Sequence, residues 1–323
     1  MKFRNLDPDP MKKEHRQLGL PQVEEATSPP TTPTGLNAAV WFISLVLIGL
    51  TLFLFGRLFL ANHWLGGLHA ISQTLSGNIF WIAVGVGFLA QAVDGALGMA
   101  YGVTATTFLL STGASPAVAS ASVHIAEIFT TGFSGISHVK LGNVNKQLVL
   151  RLLVPGIIGG IVGAIVVTQI DGAVFKPFVS AYLLLMGIYI LGKAWRYLHP
   201  RNTTTPRHVG KLALFGGFID SAGGGGWGPV VTTSLLGTGN DPRTTIGSVN
   251  FAEFFLTLMS GATFALLVGT NTWPIVAGLV LGGLFAAPFA ALLTKKFHAR
   301  LLLVIVGTLI SALSFYNLYK AII

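Results

Sequence analysis

The chain alternates between long apolar runs and short polar connections. A membrane-spanning helix needs about 20 mainly apolar residues, and seven segments meet that length. They are Asn37–Leu60, Ala117–Val139, Gln147–Ile170, Val174–Leu198, Arg243–Val268, Trp273–Thr294 and Ala299–Ala321. Two regions break the pattern. Ile79–Thr112 and Val209–Thr238 each place two shorter apolar arms around a glycine-rich centre. Non-helical backbone at membrane depth is tolerated only where protein or a cavity covers it. Each region therefore reads as a helical hairpin that enters and returns, with a pair of short crossings as the alternative.

Composition agrees with this pattern. Of 323 residues, 52% are hydrophobic and 10% are charged, against about a quarter charged in soluble domains. The formal net charge of +9 does not indicate nucleic acid, because Lys and Arg lie between apolar runs rather than in one patch. No cysteine is present, which excludes disulfides, thiolate metal sites and Cys nucleophiles. Residues 1–36 mix basic and acidic side chains with a Pro/Thr-rich stretch and read as a flexible cytosolic tail. With Asn37 cytosolic and each hairpin counted as an even number of passes, 12 of the later Lys and Arg fall inside and 3 outside, as the positive-inside rule asks. The segment Ala61–Asn78 then reads as an outside loop.

A repeat organises these segments. Asp94–Glu127 aligns without a gap on Asp220–Glu253 at an offset of 126, with 15 of 34 positions identical. Each copy comprises one hairpin and three spans. The expected architecture is an all-α integral membrane protein with two inverted repeats, 78–198 and 209–321, preceded by an additional transmembrane helix at 37–60.

Four acids are repeated inside apolar segments: Asp94, Asp220, Glu127 and Glu253. A carboxylate at membrane depth is costly, and by default marks function. Asp94 and Asp220 precede the glycine-rich breaks. They read as caps of the returning half-helix or as coupling-ion or proton sites, and the two roles are compatible. Glu127 lies on a helix whose polar residues Ser120, His124, Thr131, Ser134 and His138 recur at helical spacing. It reads as a structural carboxylate or as a group protonated during transport, with His124 one turn away to share the proton. No metal-ligand cluster such as His-Glu-x-x-His and no Ser/His dyad at convincing positions is present, so the chain reads as a non-enzyme without a cofactor.

The glycine-rich break with Pro116 downstream, Ala126-Glu127, and the stretch Ser137-His138-Val139-Lys140-Leu141-Gly142-Asn143-Val144 together resemble the TauE/SafE sulfite exporter family. So do Gly223–Gly228, Pro229, Pro242, Arg243 and Gly247-Ser248-Val249-Asn250 in the second half. The resemblance covers Asn78–Tyr319. It implies transport of a small sulfur-containing anion (sulfite, thiosulfate or a sulfonate) across a bacterial inner membrane. The sequence departs from symmetry at Leu97, Met99 and Ala100, where the second copy has glycines.

The expected mechanism is alternating access around the hairpin tips. The anion would meet backbone N–H groups near Gly98, Gly102, Gly224, Gly225 and Gly228, with Thr106, Thr107, Thr232, Thr233 and Asn250 as further donors. Tyr101 and Trp227 would shape the site. Four ionised carboxylates would repel an anion, so some must be protonated, bonded to N–H groups or paired with a cation. That points to proton or sodium coupling. An anion channel of the same architecture is the alternative, and a homo-oligomer is left open.

Overall fold

The computed structural model describes residues 34–59, 63–195, 208–237, 242–268, 273–296 and 299–322. Residues 1–33 of the expected tail, most of the connection before residue 208, and the turn 269–272 lie outside them. All regular structure among the described residues is helical. In chain order the helices are α1 (Thr34–Phe59), α2 (His63–Ser76), α3 (Asn78–Leu97), α4 (Tyr101–Ser111), α5 (Pro116–Lys140), α6 (Lys146–Gln169) and α7 (Gly172–Lys193). Then follow α8 (Val209–Gly223), a π-helical turn (Trp227–Thr232), α9 (Thr233–Gly237), α10 (Pro242–Leu267), α11 (Trp273–Lys296) and α12 (Ala299–Ile322).

Helices α1, α5, α6, α7, α10, α11 and α12 cover the seven expected spans. Of these, α1, α6, α7, α10 and α12 are long and apolar enough to cross a membrane. Helix α5, with its polar stripe, is not, and the apolar part of α11, Trp273–Ala287, is shorter. Both glycine-rich regions are interrupted where expected, at Gly98–Ala100 and Gly224–Gly226. The arms are unequal. Helix α3 is 20 residues long and apolar enough to cross a bilayer over Asn78–Gly95, whereas α4 has 11 residues. Ala61–Asn78 is not a plain loop: 14 of its residues form α2. Trp64, Leu68, Ile71 and Leu75 recur at intervals of four, three and four, which is the helical period. Leu65, Leu68 and Leu75 are exposed. A segment without Lys or Arg and with an apolar stripe suits the membrane interface better than water.

The burial pattern is that of a protein solvated by lipid. Trp41, Leu45, Leu52, Trp81, Leu150, Val154, Phe178, Leu185 and Leu266 are exposed, while His124, Glu127, Asp220, Asn250 and Glu253 are buried. In lipid, apolar side chains gain nothing by turning inward, whereas polar groups do.

Packing partners exchange when the two copies are exchanged. Helix α3 lies along α11, and its counterpart α8 lies along α6; α5 pairs with α10, and α7 with α12. Each hairpin therefore packs against a span of the other copy. Glycines set the closeness of these crossings: a Cβ on Gly282 of α11 would lie 2.0 Å from the Val84 carbonyl of α3, and one on Gly159 of α6 would lie 2.1 Å from the Leu214 carbonyl of α8.

Candidate functional site

The two breaks touch. A Cβ added to Gly225 would lie 2.3 Å from the carbonyl carbon of Gly102, and one added to Gly102 would lie 2.7 Å from the Gly225 Cα. Only paired glycines allow the two backbones to cross at this distance. Thr106 adds a bond across the same contact, donating its hydroxyl to the Gly224 carbonyl.

Each break is organised by its aspartate. Asp220 Oδ1 accepts the N–H groups of Gly226 (2.7 Å) and Trp227 (2.9 Å), and its carbonyl accepts the N–H of Gly225 (2.8 Å). In the first copy the Tyr101 N–H bonds to the Asp94 carboxylate, and the Gly98 N–H to the Asp94 carbonyl (2.6 Å). Tyr101 and Trp227 are equivalent positions. Each carboxylate thus occupies the N-terminus of its own returning segment, where orphan N–H groups and the helix dipole favour negative charge.

That arrangement changes the expected anion site. The N–H groups of Gly98, Tyr101, Gly225, Gly226 and Trp227 are already taken within the protein. Of the expected hydroxyl and amide donors, Thr107 bonds the Val103 carbonyl (2.6 Å), Thr106 the Gly224 carbonyl, and Asn250 Nδ2 the Ser134 hydroxyl (3.1 Å). Thr233 lies 3.9 Å from the Met99 sulfur, and the buried Thr232 hydroxyl has no partner among the described residues. Tyr101 and Trp227 are buried and anchored, through the Leu279 carbonyl (3.2 Å) and the Val249 carbonyl (3.2 Å). Gly228 lies against Met99, since a Cβ there would sit 2.8 Å from the Met99 Cα.

The acid-bearing helix supplies the second element of the site. His124, fully buried on α5, places Nε2 3.2 Å from Asp220 Oδ2 and 3.3 Å from the Ser221 hydroxyl. The expected partner of His124 was Glu127; the fold pairs it with the aspartate of the other copy instead. His124 Nδ1 lies 2.8 Å from the Ser120 carbonyl. A carbonyl only accepts, so Nδ1 carries a hydrogen. The contact between Nε2 and Oδ2 then needs one proton between them, on the ring or on the carboxyl. Ser120 and Ser260 extend the network, through the Ser221 carbonyl (2.6 Å) and hydroxyl (2.9 Å) respectively. Asn250, the counterpart of His124, bonds the Ser134 hydroxyl instead of an aspartate.

Glu127 is buried beside this pair, and its Oε2 has no hydrogen-bond partner among the described residues. One ligand atom each from His124, Glu127 and Asp220 lie within 4.8 Å of one another. No local spacing in the sequence marks this set, because its members come from two helices of different copies. Glu253 is buried nearby, close enough for its charge to act on Glu127, Asp94 and Asp220.

Two site residues carried no signal beyond their position. Tyr182 of α7 donates to the Gly225 carbonyl at 2.8 Å. Lys193, also on α7, approaches Met99. Tyr182 is a lone polar tip in an apolar span. Lys193, counted among the cytosolic cations by the charge bias, is the last residue of α7 and is buried rather than exposed. The stretch around Gly142 serves structure: Asn143 N–H bonds the His138 carbonyl (2.8 Å), Gly142 has φ +71°, and Gly247 packs on the Asn143 backbone.

Carboxylates seated at chain breaks inside a bundle with an apolar exterior are the arrangement of a multi-pass membrane transporter. The family comparison names the class more narrowly. The chain belongs to the sulfite exporter TauE/SafE family, whose model matches residues 83–317. It is 46% identical over 230 residues to the "Probable membrane transporter protein YtnM" of Bacillus subtilis (strain 168), covering 69% of this chain and 77% of that protein. No solved structure matches the chain.

Proposed function

We propose that the protein is a secondary transporter that moves a small sulfur-containing anion (sulfite, thiosulfate or an organosulfonate) across the bacterial inner membrane by alternating access. The observation that carries this reading is the contact of the two broken hairpins at Gly102 and Gly225, each hairpin packed on a span of the other copy. Two such units, related as inverted repeats with the N-terminus cytosolic, can rock about that contact and expose it to either side in turn. The inversion rests on the charge bias of the connections and on the exchange of packing partners.

Coupling falls to His124, Asp220 and Glu127. The proton between His124 and Asp220 ties α5 of one copy to α8 of the other. Its loss leaves a lone pair facing a carboxylate, which weakens the tie and favours separation of the copies. An imidazole is a poor ligand for sodium, which prefers oxygen, so this geometry favours proton coupling.

The test is flux into proteoliposomes with labelled sulfite, thiosulfate and a sulfonate, under imposed proton or sodium gradients. Saturable flux of at least one substrate, driven by a proton gradient and reduced in His124→Ala, is the expected result. Unsaturable flux indifferent to either gradient would sink alternating access and leave the channel reading.

A further inference from the structure

We propose that Lys193 is the cation that receives the anion, at a site formed with Met99 of the first break and Thr233 of the second hairpin. Among the described residues, Lys193 is the buried member of the Lys and Arg set, at 4% exposed. Its Nζ rests 3.4 Å from the Met99 sulfur, a weak acceptor. The Thr233 hydroxyl approaches the same sulfur from the returning arm of the second hairpin. The neighbouring Thr232 is fully buried, and its hydroxyl has no partner among the described residues.

A buried ammonium without a counter-charge costs several kcal/mol, so its persistence needs a reason. No carboxylate of the described residues lies within ion-pair distance of Lys193; the one such pair among them is His124 with Asp220. Lys193 is the last residue of α7, and a basic residue there commonly serves the helix dipole. Here Arg300 of α12 does so, donating from Nε to the Ala194 carbonyl at 3.1 Å. Nor does Lys193 extend into headgroups as lysines at membrane edges do, because it is turned inward.

An anion supplies the missing charge. The flexible stem of Lys193 lets Nζ leave the Met99 sulfur for a ligand oxygen, with the Thr233 hydroxyl as a second donor. The partners come from α7, from the first break and from the second hairpin. A ligand bound there meets both moving units, as a transported one must. The cation also offsets the acids that would otherwise repel an anion. The ligand class is a small oxyanion, recognised by charge and by hydrogen bonds to its oxygens. This assignment deepens the transport reading and rests on it.

Binding is measured on detergent-purified full-length protein through thermal stabilisation by sulfite, thiosulfate, phosphate and chloride, beside the flux assay. Lys193→Met is expected to raise the apparent Kd for the bound oxyanion about tenfold or more, the loss of one charge-assisted hydrogen bond. Lys193→Arg keeps the charge on a bulkier, planar group and should retain more affinity than Lys193→Met. Anion protection of Lys193 from trinitrobenzenesulfonate, read by mass spectrometry on the wild-type protein, needs no variant and covers the case in which Lys193→Met does not fold. An unchanged Kd in Lys193→Met, or absence of protection, overturns the assignment while leaving saturable sulfur-anion flux intact. Lysine-dependent binding of phosphate, without flux of any sulfur anion, upholds the site and removes the proposed substrate.

Discussion

The two breaks begin from one sequence template and end as different devices. In the first, Gly98-Met99-Ala100 turns the chain with Ala100 at φ +92°, and an ordinary α-helix resumes at Tyr101. In the second, Gly224-Gly225-Gly226 turns it with the positive φ angles on glycine, and the chain resumes as a π-helical turn. Asp94 is half-buried and its carboxylate accepts the Tyr101 N–H; Asp220 is buried, holds two N–H groups and meets His124. The shared aspartate keeps the same job in both, which is to seat a negative charge on the returning segment. What differs is what each break offers its partner. The first contributes the Met99 side chain, and the second contributes bare backbone that another chain segment can touch. Pseudo-symmetry preserves the aspartate at each break, while the copies diverge in the residues beside it, Met99 against Gly225 and His124 against Asn250.

The largest expected effect tests that bare backbone. Gly225→Ala should abolish transport and lower folded yield, because its Cβ would overlap Gly102. The equivalent change in the first copy, Met99→Ala, should leave a folded protein, as judged by size-exclusion profile, because its sulfur meets the side chains of Lys193 and Thr233 rather than a crossing backbone. Next come the aspartates. Asp220→Ala strands a buried histidine and two N–H groups and should cost about 3–5 kcal/mol. Asp94→Ala should cost about 1 kcal/mol, the value of a cap. Thermal unfolding in detergent ranks the two, and equal losses would erase the distinction between the breaks.

A smaller effect separates coupling from structure. His124→Ala should reduce proton-driven flux about tenfold by removing the tie between the copies, whereas Asn250→Ala should leave the response to a proton gradient in place. Flux with the gradient clamped against flux with it imposed reads this directly. The smallest effect is at Ala100. A left-handed conformation costs a non-glycine residue about 1–2 kcal/mol, so Ala100→Gly should raise thermal stability by about 1 kcal/mol without altering substrate affinity. A loss of affinity would mean that the strain itself shapes the Met99 site.

Much of this fold was legible in the chain. Twenty-residue apolar runs state where lipid-facing helices lie, because a bilayer has a set thickness. Asp94 and Asp220, each followed by glycines at one repeat distance, announced both breaks and their caps. Helix α2 was legible too, in the four-three-four spacing of Trp64, Leu68, Ile71 and Leu75, but the absence of charge made the segment read as a loop. The partner of His124 was not legible. Helical periodicity places His124 beside Glu127, and nothing local states that α8 of the other copy passes closer.

The sequence by itself determined the membrane class, the repeat, the two breaks and the four intramembrane acids, since these follow from period, length and the cost of charge in lipid. Only the tertiary structure decided which copy's aspartate meets His124, that the N–H groups of Gly98, Gly224 and Gly225 are filled within the protein, and that Lys193 turns inward to Met99. Those facts depend on which helices cross, and glycines set how near they come. A crossing joins residues nearly a hundred positions apart, such as His124 and Asp220, and no spacing along the chain encodes that meeting.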